Sequence, residues 1–311
     1  FGLRYVDVDT DMAFAGNAAS TGASKVLPSL MLRYNLTDDL LARFSYGETL
    51  RRPAFAQLNP TINYVRDVTN IGYGTATGGN PELEPTESKN FDLSLEWYFA
   101  EGSTLYATAF KREIEGFVVD FRRRVIHDDG EGEYPYILNQ PDNASNGKLD
   151  GYELGVVYFP KGLPDLLDGI GVQASYTILD SSQDIPITNS EGTVVGTDTT
   201  PLFGVSDSSY SVVLAYEKER FDMRLSYVWR EDFLNNYEAA QFANPLGIYR
   251  NPEKSLDFQL SYNVTDNLMV TFDATNLTNE IFQSYYEYPS THNFGSSLFS
   301  RTFALGFRYS L

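Results

Sequence analysis

Positions 91–99 alternate without a break. Phe91, Leu93, Leu95, Trp97 and Phe99 fall on one side of an extended strand, and Asp92, Ser94, Glu96 and Tyr98 fall on the other. The end of the run, Trp97-Tyr98-Phe99, turns aromatic just ahead of Glu101-Gly102, where a bilayer-spanning strand sets its interfacial ring. The period recurs. Val26, Pro28, Leu30, Leu32, Tyr34 and Leu36 share a face, as do Leu40, Ala42, Phe44 and Tyr46. Thr104, Tyr106, Thr108 and Phe110 read as the next apolar face, followed by Tyr152, Leu154, Val156 and Tyr158, and by Val172, Ala174, Tyr176 and Ile178. Further faces begin at Tyr210, Phe221, Leu256, Leu268 and Phe303. The pattern predicts about twelve strands of roughly 9–12 residues, the length that crosses a bilayer on a tilt.

The opposite faces are polar and charged, as in Asp257, Gln259, Ser261 and Asn263, or Asp222, Arg224, Ser226 and Arg230. Large apolar faces backed by charge suit an apolar exterior and a polar lumen. Connections alternate in length. Short turns fall at 37–39, 100–102, 217–220 and 265–267, with 160–169 a longer member of the set. Long loops are expected at about 10–24, 51–87, 127–146, 183–206, 233–253 and 276–299, all at one end of an up-and-down meander. The fold expected is all-β, a transmembrane up-and-down antiparallel β-barrel. A short turn of helix is expected at 163–167, and nowhere else.

Composition narrows the partners. The 311 residues hold 23 Lys+Arg against 42 Asp+Glu, a net charge of −19, which argues against a nucleic-acid backbone as ligand. With no cysteine there is no disulfide framework and no Cys-type zinc site. No run of about 18 apolar residues marks a transmembrane helix, but barrel strands escape that test. Positions 1–9 read as the inside of a strand, so the chain is expected to be a fragment of a longer protein.

Gly79-Asn80-Pro81-Glu82-Leu83-Glu84-Pro85, followed by Glu87-Ser88 and Phe91-Asp92-Leu93, resembles the loop-to-strand motif of TonB-dependent outer-membrane receptors. Gly2-Leu3-Arg4-Tyr5, Leu27-Pro28-Ser29-Leu30, Tyr46-Gly47 with Arg51-Arg52-Pro53, and Asn276-Leu277-Thr278-Asn279-Glu280 with Arg301-Thr302-Phe303 agree with the same family in order. The resemblance covers essentially the whole chain. It implies the C-terminal portion of a barrel of about 22 strands, with the plug domain and N-terminal strands absent. The family typically ends in Phe, where this chain has Leu311. It also implies an outer-membrane location, the surrounding lipid and the TonB inner-membrane complex (through the missing plug) as partners, and capture of a scarce small-molecule nutrient. An oligosaccharide and a ferric siderophore both fit, and the acidic, Tyr-rich loops lean slightly to a sugar or a cationic nutrient.

Loop aromatics are the ligand candidates. Tyr134-Pro135-Tyr136 and Tyr285-Tyr286-Glu287-Tyr288 set flat rings beside acids and amides, and rings stack on sugar faces and aromatic chelators alike. Asp142, Asn146, Gly147 and Glu153 have partial calcium-loop spacing, but Ala144 stands where an oxygen ligand is needed. Asp7, Asp9 and Asp11 alternate, with Met12 where the turn glycine belongs. His127 and His292 are the only histidines, and both are expected in loops with no nucleophile beside them. No catalytic residue, metal or cofactor is assigned, and the expected protein is not an enzyme. Two other classes stay open: a stand-alone 12-stranded outer-membrane hydrolase and a soluble β-sandwich glycan-binding module.

Overall fold

The structure is a computed structural model that describes residues 1–67, 71–189, 193–238 and 246–310. Its strands are β1 (Gly2–Phe14), β2 (Asn17–Asn35), β3 (Leu40–Arg51), β4 (Ile62–Val65), β5 (Gly74–Gly78), β6 (Thr86–Ala100), β7 (Ser103–Asp128), β8 (Glu133–Tyr158), β9 (Ile170–Thr188) and β10 (Val194–Thr200). They continue with β11 (Ser208–Lys218), β12 (Phe221–Arg230), β13 (Phe233–Glu238), β14 (Leu246–Arg250), β15 (Glu253–Asn263), β16 (Leu268–Thr275), β17 (Ile281–Tyr286), β18 (Asn293–Leu298) and β19 (Thr302–Tyr309). Among the described residues the one helical turn is a 3-10 turn at Asp165–Leu167, inside the segment expected to hold it.

Twelve strands form one antiparallel path, β1-β2-β3-β6-β7-β8-β9-β11-β12-β15-β16-β19. That matches the strand number expected from alternation. The path stays open: among the described residues β1 pairs only with β2 and β19 only with β16. Cross-strand register carries one face across the sheet. Trp97 stands opposite Leu40, Leu214 opposite Leu225, Leu225 opposite Phe258, and Phe272 opposite Leu305. These side chains do not pack against a second layer. Leu3 and Phe307 are each 71% exposed. The accessible surface is 19247 Å² for 34.9 kDa, against about 13,000 Å² for a compact soluble chain of that mass. A β-sandwich would bury this face, so the sandwich reading is overturned.

Two expectations need correction. On β7 the lipid face is Leu105, Ala107 and Ala109, which lie opposite Trp97, Leu95 and Leu93. Thr104, Tyr106, Thr108 and Phe110 face the lumen instead. Alanine fills a lipid-facing place as well as leucine does, and the ring of Tyr106 lies inward over Gly155, where an added Cβ would come within 2.2 Å of it. Its hydroxyl donates to Glu153 at 2.8 Å.

The long loops are also more ordered than expected. Segment 10–24 is a hairpin turning at Ala15 and Gly16, and 127–146 is almost wholly strand, because β7 and β8 run 26 residues each. The strands on the path therefore range from 8 to 26 residues. Beyond the bilayer no apolar face is needed, so alternation fades while backbone pairing continues. Leu311 lies outside the described residues.

Candidate functional site

The long-loop end of the sheet carries three built features. The first is the lip formed by 79–85. Asn80 caps its own turn, accepting from the Glu82 amide at 3.0 Å and donating to the Pro141 carbonyl at 3.2 Å. Asn143 of β8 clamps the other side. Its side-chain oxygen accepts from the Glu84 amide at 2.8 Å, and its amide nitrogen donates to the carbonyls of Glu84 and Gly116 at 2.9 and 2.8 Å. Leu83 is buried. The motif thus fixes backbone where the loop re-enters the wall. It also removes the calcium reading of 142–153, since that segment is extended strand and Asn146 accepts from the Gly116 amide at 3.1 Å.

The second feature is the tip of the β7–β8 hairpin. β5 adds to β8 in parallel, Gly74 opposite Tyr136 and Ala76 opposite Leu138, and brings β4 with it. His127 sits on β7, contrary to the loop expected, and stacks on Tyr64 with ring centroids 3.7 Å apart and 8° between planes. Tyr136 is fully buried under this finger, packed with Ala76 and Leu138. Its hydroxyl donates to Asp129, and that bond, with burial, pushes the hydroxyl up to about 12. Tyr134 lies edge-on to Tyr136, with the Arg66 guanidinium 4.4 Å from its ring centre. Arg66 also meets Asp129 and Glu131.

The third feature is a separate four-stranded sheet, β13-β14-β17-β18, made by pairing two loops through β14 and β17. Tyr285 is half-buried in it and donates to Asp232 at 2.7 Å. Tyr286 meets Phe294 edge-on at 5.4 Å. Tyr288 lies beyond β17 and is 72% exposed. Of the five sequence candidates, then, the structure groups Tyr134 with Tyr136 and Tyr285 with Tyr286. It buries Tyr136 and leaves Tyr288 most open.

Below these features the lumen wall is polar. Arg224, Asp257, Gln259 and Asp273 line a cavity of about 410 Å³ with Glu217 and Phe159. Arg230 rises to the rim, where it covers the Phe233 ring at 3.7 Å and donates to Gly204 and Ser206. Lower down, Arg43 and Glu96 pair at 2.7 Å. Among the described residues no group of three or more His, Asp or Glu side chains is placed to hold a metal ion.

A family described as TonB dependent receptor-like, beta-barrel matches residues 1–277. The chain belongs to this family. TonB-dependent receptors are outer-membrane proteins and not enzymes, so the hydrolase reading falls. No curated protein matches the chain. Solved structures do. A variant of the ferric enterobactin receptor PfeA from Pseudomonas aeruginosa aligns with TM-score 0.66 at 16% identity, over 99% of this chain and 45% of that one. The siderophore receptor PirA from Acinetobacter baumannii gives 0.65 at 13%, covering 99% and 46%. The FrpB iron transporter from Neisseria meningitidis gives 0.60 at 14%, covering 99% and 42%. At such identity the likeness shows the fold alone, and the chain spans about half the length of these structures.

Sequence reasoning missed two basic features of this receptor barrel. Arg66 organises the hairpin tip, and Arg122, Arg123 and Arg124 form a run on the long extension of β7. The run of three arginines in an acidic chain was the available signal. Nothing in the sequence near Arg66 marks it, because its partners Asp129 and Tyr134 are remote in the chain.

Proposed function

We propose that the chain is the C-terminal portion of the barrel of an outer-membrane receptor that takes up a ferric siderophore, with energy supplied by the TonB complex through a plug domain carried elsewhere in the protein. The observation that carries this reading is the family match over 1–277, joined to an open twelve-stranded sheet whose long-loop end is organised by aromatic and arginine side chains. Among the described residues β1 and β19 each leave one edge unpaired, and unpaired backbone is not tolerated in lipid, which supports a larger barrel. The solved neighbours named for siderophores and iron support the ligand class. So do Arg123 and Arg124, exposed on the long extension of β7, which offer local positive charge to an anionic chelate within a chain of net charge −19. No bond is made or broken. Capture at the loops shifts a conformational equilibrium that the energy-coupling complex then exploits.

The test is uptake by cells that depend on the whole receptor. Ferric siderophores, catecholates first, are expected to be imported and to compete with one another. Oligosaccharides are not. Import of oligosaccharides alone would overturn the ligand class while leaving the barrel assignment intact. Loss of uptake on replacing Tyr288 with alanine, with normal assembly, is expected for a contact residue in so exposed a place.

A further inference from the structure

We propose that the 160–169 turn between β8 and β9 is a membrane-surface foot, which lies against the outside of the wall and seats Leu166 and Leu167 in the phospholipid leaflet at the short-turn end. Its contacts place it there. Tyr216 and Lys218 of β11 belong to the lipid-facing side, opposite Met223 and Phe221. The Tyr216 hydroxyl donates to the Leu166 carbonyl at 3.3 Å. The Lys218 ammonium reaches the Asp165 carboxylate at 2.8 Å and also donates to the Asp165 carbonyl. A turn folded under the lumen would not meet these outward side chains. Lys218 is left only 22% exposed by the cover.

The surface this leaves is apolar. Leu166 is 80% and Leu167 43% exposed, and they continue the lipid-facing band through Ile170 and Phe221. That continuity names the occupant. The foot holds Lys161 against Asp165 and Asp168, and Lys218 of β11, paired with Asp165, offsets the remaining charge, which suits a zwitterionic headgroup layer. The other short turns lack such a segment: 36–39 and 264–267 close directly from strand to strand.

The test uses Leu166→Cys in the intact receptor with any other cysteines removed, labelled with an environment-sensitive fluorophore, in nanodiscs of zwitterionic phospholipid. Asp38→Cys in the 36–39 turn is the comparison. The label at 166 is expected to emit to the blue of the label at 38 and to lose most of its intensity to lipids that carry a quencher near the headgroup. Equal emission at both sites, without quenching, overturns the proposal. Should L166C not assemble, Leu167→Cys gives the same readout. Tyr216→Phe combined with Lys218→Ala is expected to reduce quenching at 166 while the barrel stays folded. Unchanged quenching there overturns the tether.

Discussion

Tyr249 stacks on Tyr285 with ring centroids 5.6 Å apart and 24° between planes, and the two residues are also paired across β14 and β17. The contact joins two loops that alternation alone leaves separate. Burial and the bond to Asp232 push the Tyr285 hydroxyl well above the ordinary tyrosine range, so it stays a donor at any physiological pH. The loops following β12 and β16 are thus tied together by backbone pairing and by this stack.

Removing the Tyr285 hydroxyl tests that coupling. Tyr285→Phe leaves Asp232 without this donor and should cost about 1 kcal/mol of local stability. Tyr285→Ala also removes the ring and should cost roughly another 0.5–1.5 kcal/mol from the lost stacking alone. Amide exchange at 246–250 and 281–286 is expected to accelerate in that order, while 302–309 in the wall is unchanged. Equal protection in all three proteins would show that the loops do not depend on this contact.

Asn143 makes a larger local demand. It provides one acceptor and two donors to the backbone of the lip, so Asn143→Ala should cost about 2–4 kcal/mol there, taking roughly 1 kcal/mol for each bond. Asn143→Asp keeps the acceptor and loses both donors, and is expected to fall between. Limited proteolysis at 79–86 is the measurement. A lip as resistant in N143A as in the parent would sink the assignment of this residue as its clamp.

The difference between what was legible and what was not follows from which forces leave a period in sequence. Lipid contact does, and the path strands and ten of the eleven faces read from alternation follow it. The exception is β7, where the large rings of Tyr106 and Phe110 read as the apolar face in place of the small Ala107 and Ala109, yet their partners Glu96 and Asp92 show that they face the lumen. Pairing above the bilayer leaves no such trace. The parallel addition of β5 to β8 and the joining of β14 to β17 rest on backbone bonds between remote segments, which alternation does not mark. Tyr136 looked like a surface ring for the same reason. Its cover, Ala76 and Tyr64, comes from another loop.

The corrected face of β7 gives a direct test. Ala107 lies near the middle of the spanning part of the strand, opposite Leu95 and Leu154, and Thr108 lies opposite Ser94 and Glu153. An arginine at a lipid-facing midplane site costs about 2–4 kcal/mol, whereas a lumen-facing one is tolerated. Ala107→Arg is therefore expected to lower the amount of assembled, heat-modifiable barrel, and Thr108→Arg to leave it near the parent level. The reverse outcome would restore the face read from the sequence.

The hairpin tip should respond to acid. The Tyr136 hydroxyl and the Glu131 amide donate to Asp129, and with Arg66 nearby they hold its carboxyl below the usual carboxylate range. A carboxyl depressed in the folded state adds stability that is present above its unfolded value of 3.8 and is lost as pH falls through the folded value. The β4–β5 finger should thus stay docked on β8 from neutral pH to mild acid and loosen only below that. Tyr136→Phe removes the strongest of these supports but keeps the ring, so the Asp129 carboxyl should return toward its ordinary value and the part of the docking that is lost in acid should shrink. A spin label at Asn63→Cys, an exposed site on β4, reports the docking, scanned from about pH 7 to about pH 2.5. Mobility is expected to rise at the acid end in the parent and to rise less between neutral and acid pH in the variant. Superimposable profiles would mean that Asp129 does not hold the finger, and that the stack of His127 on Tyr64 does so without it.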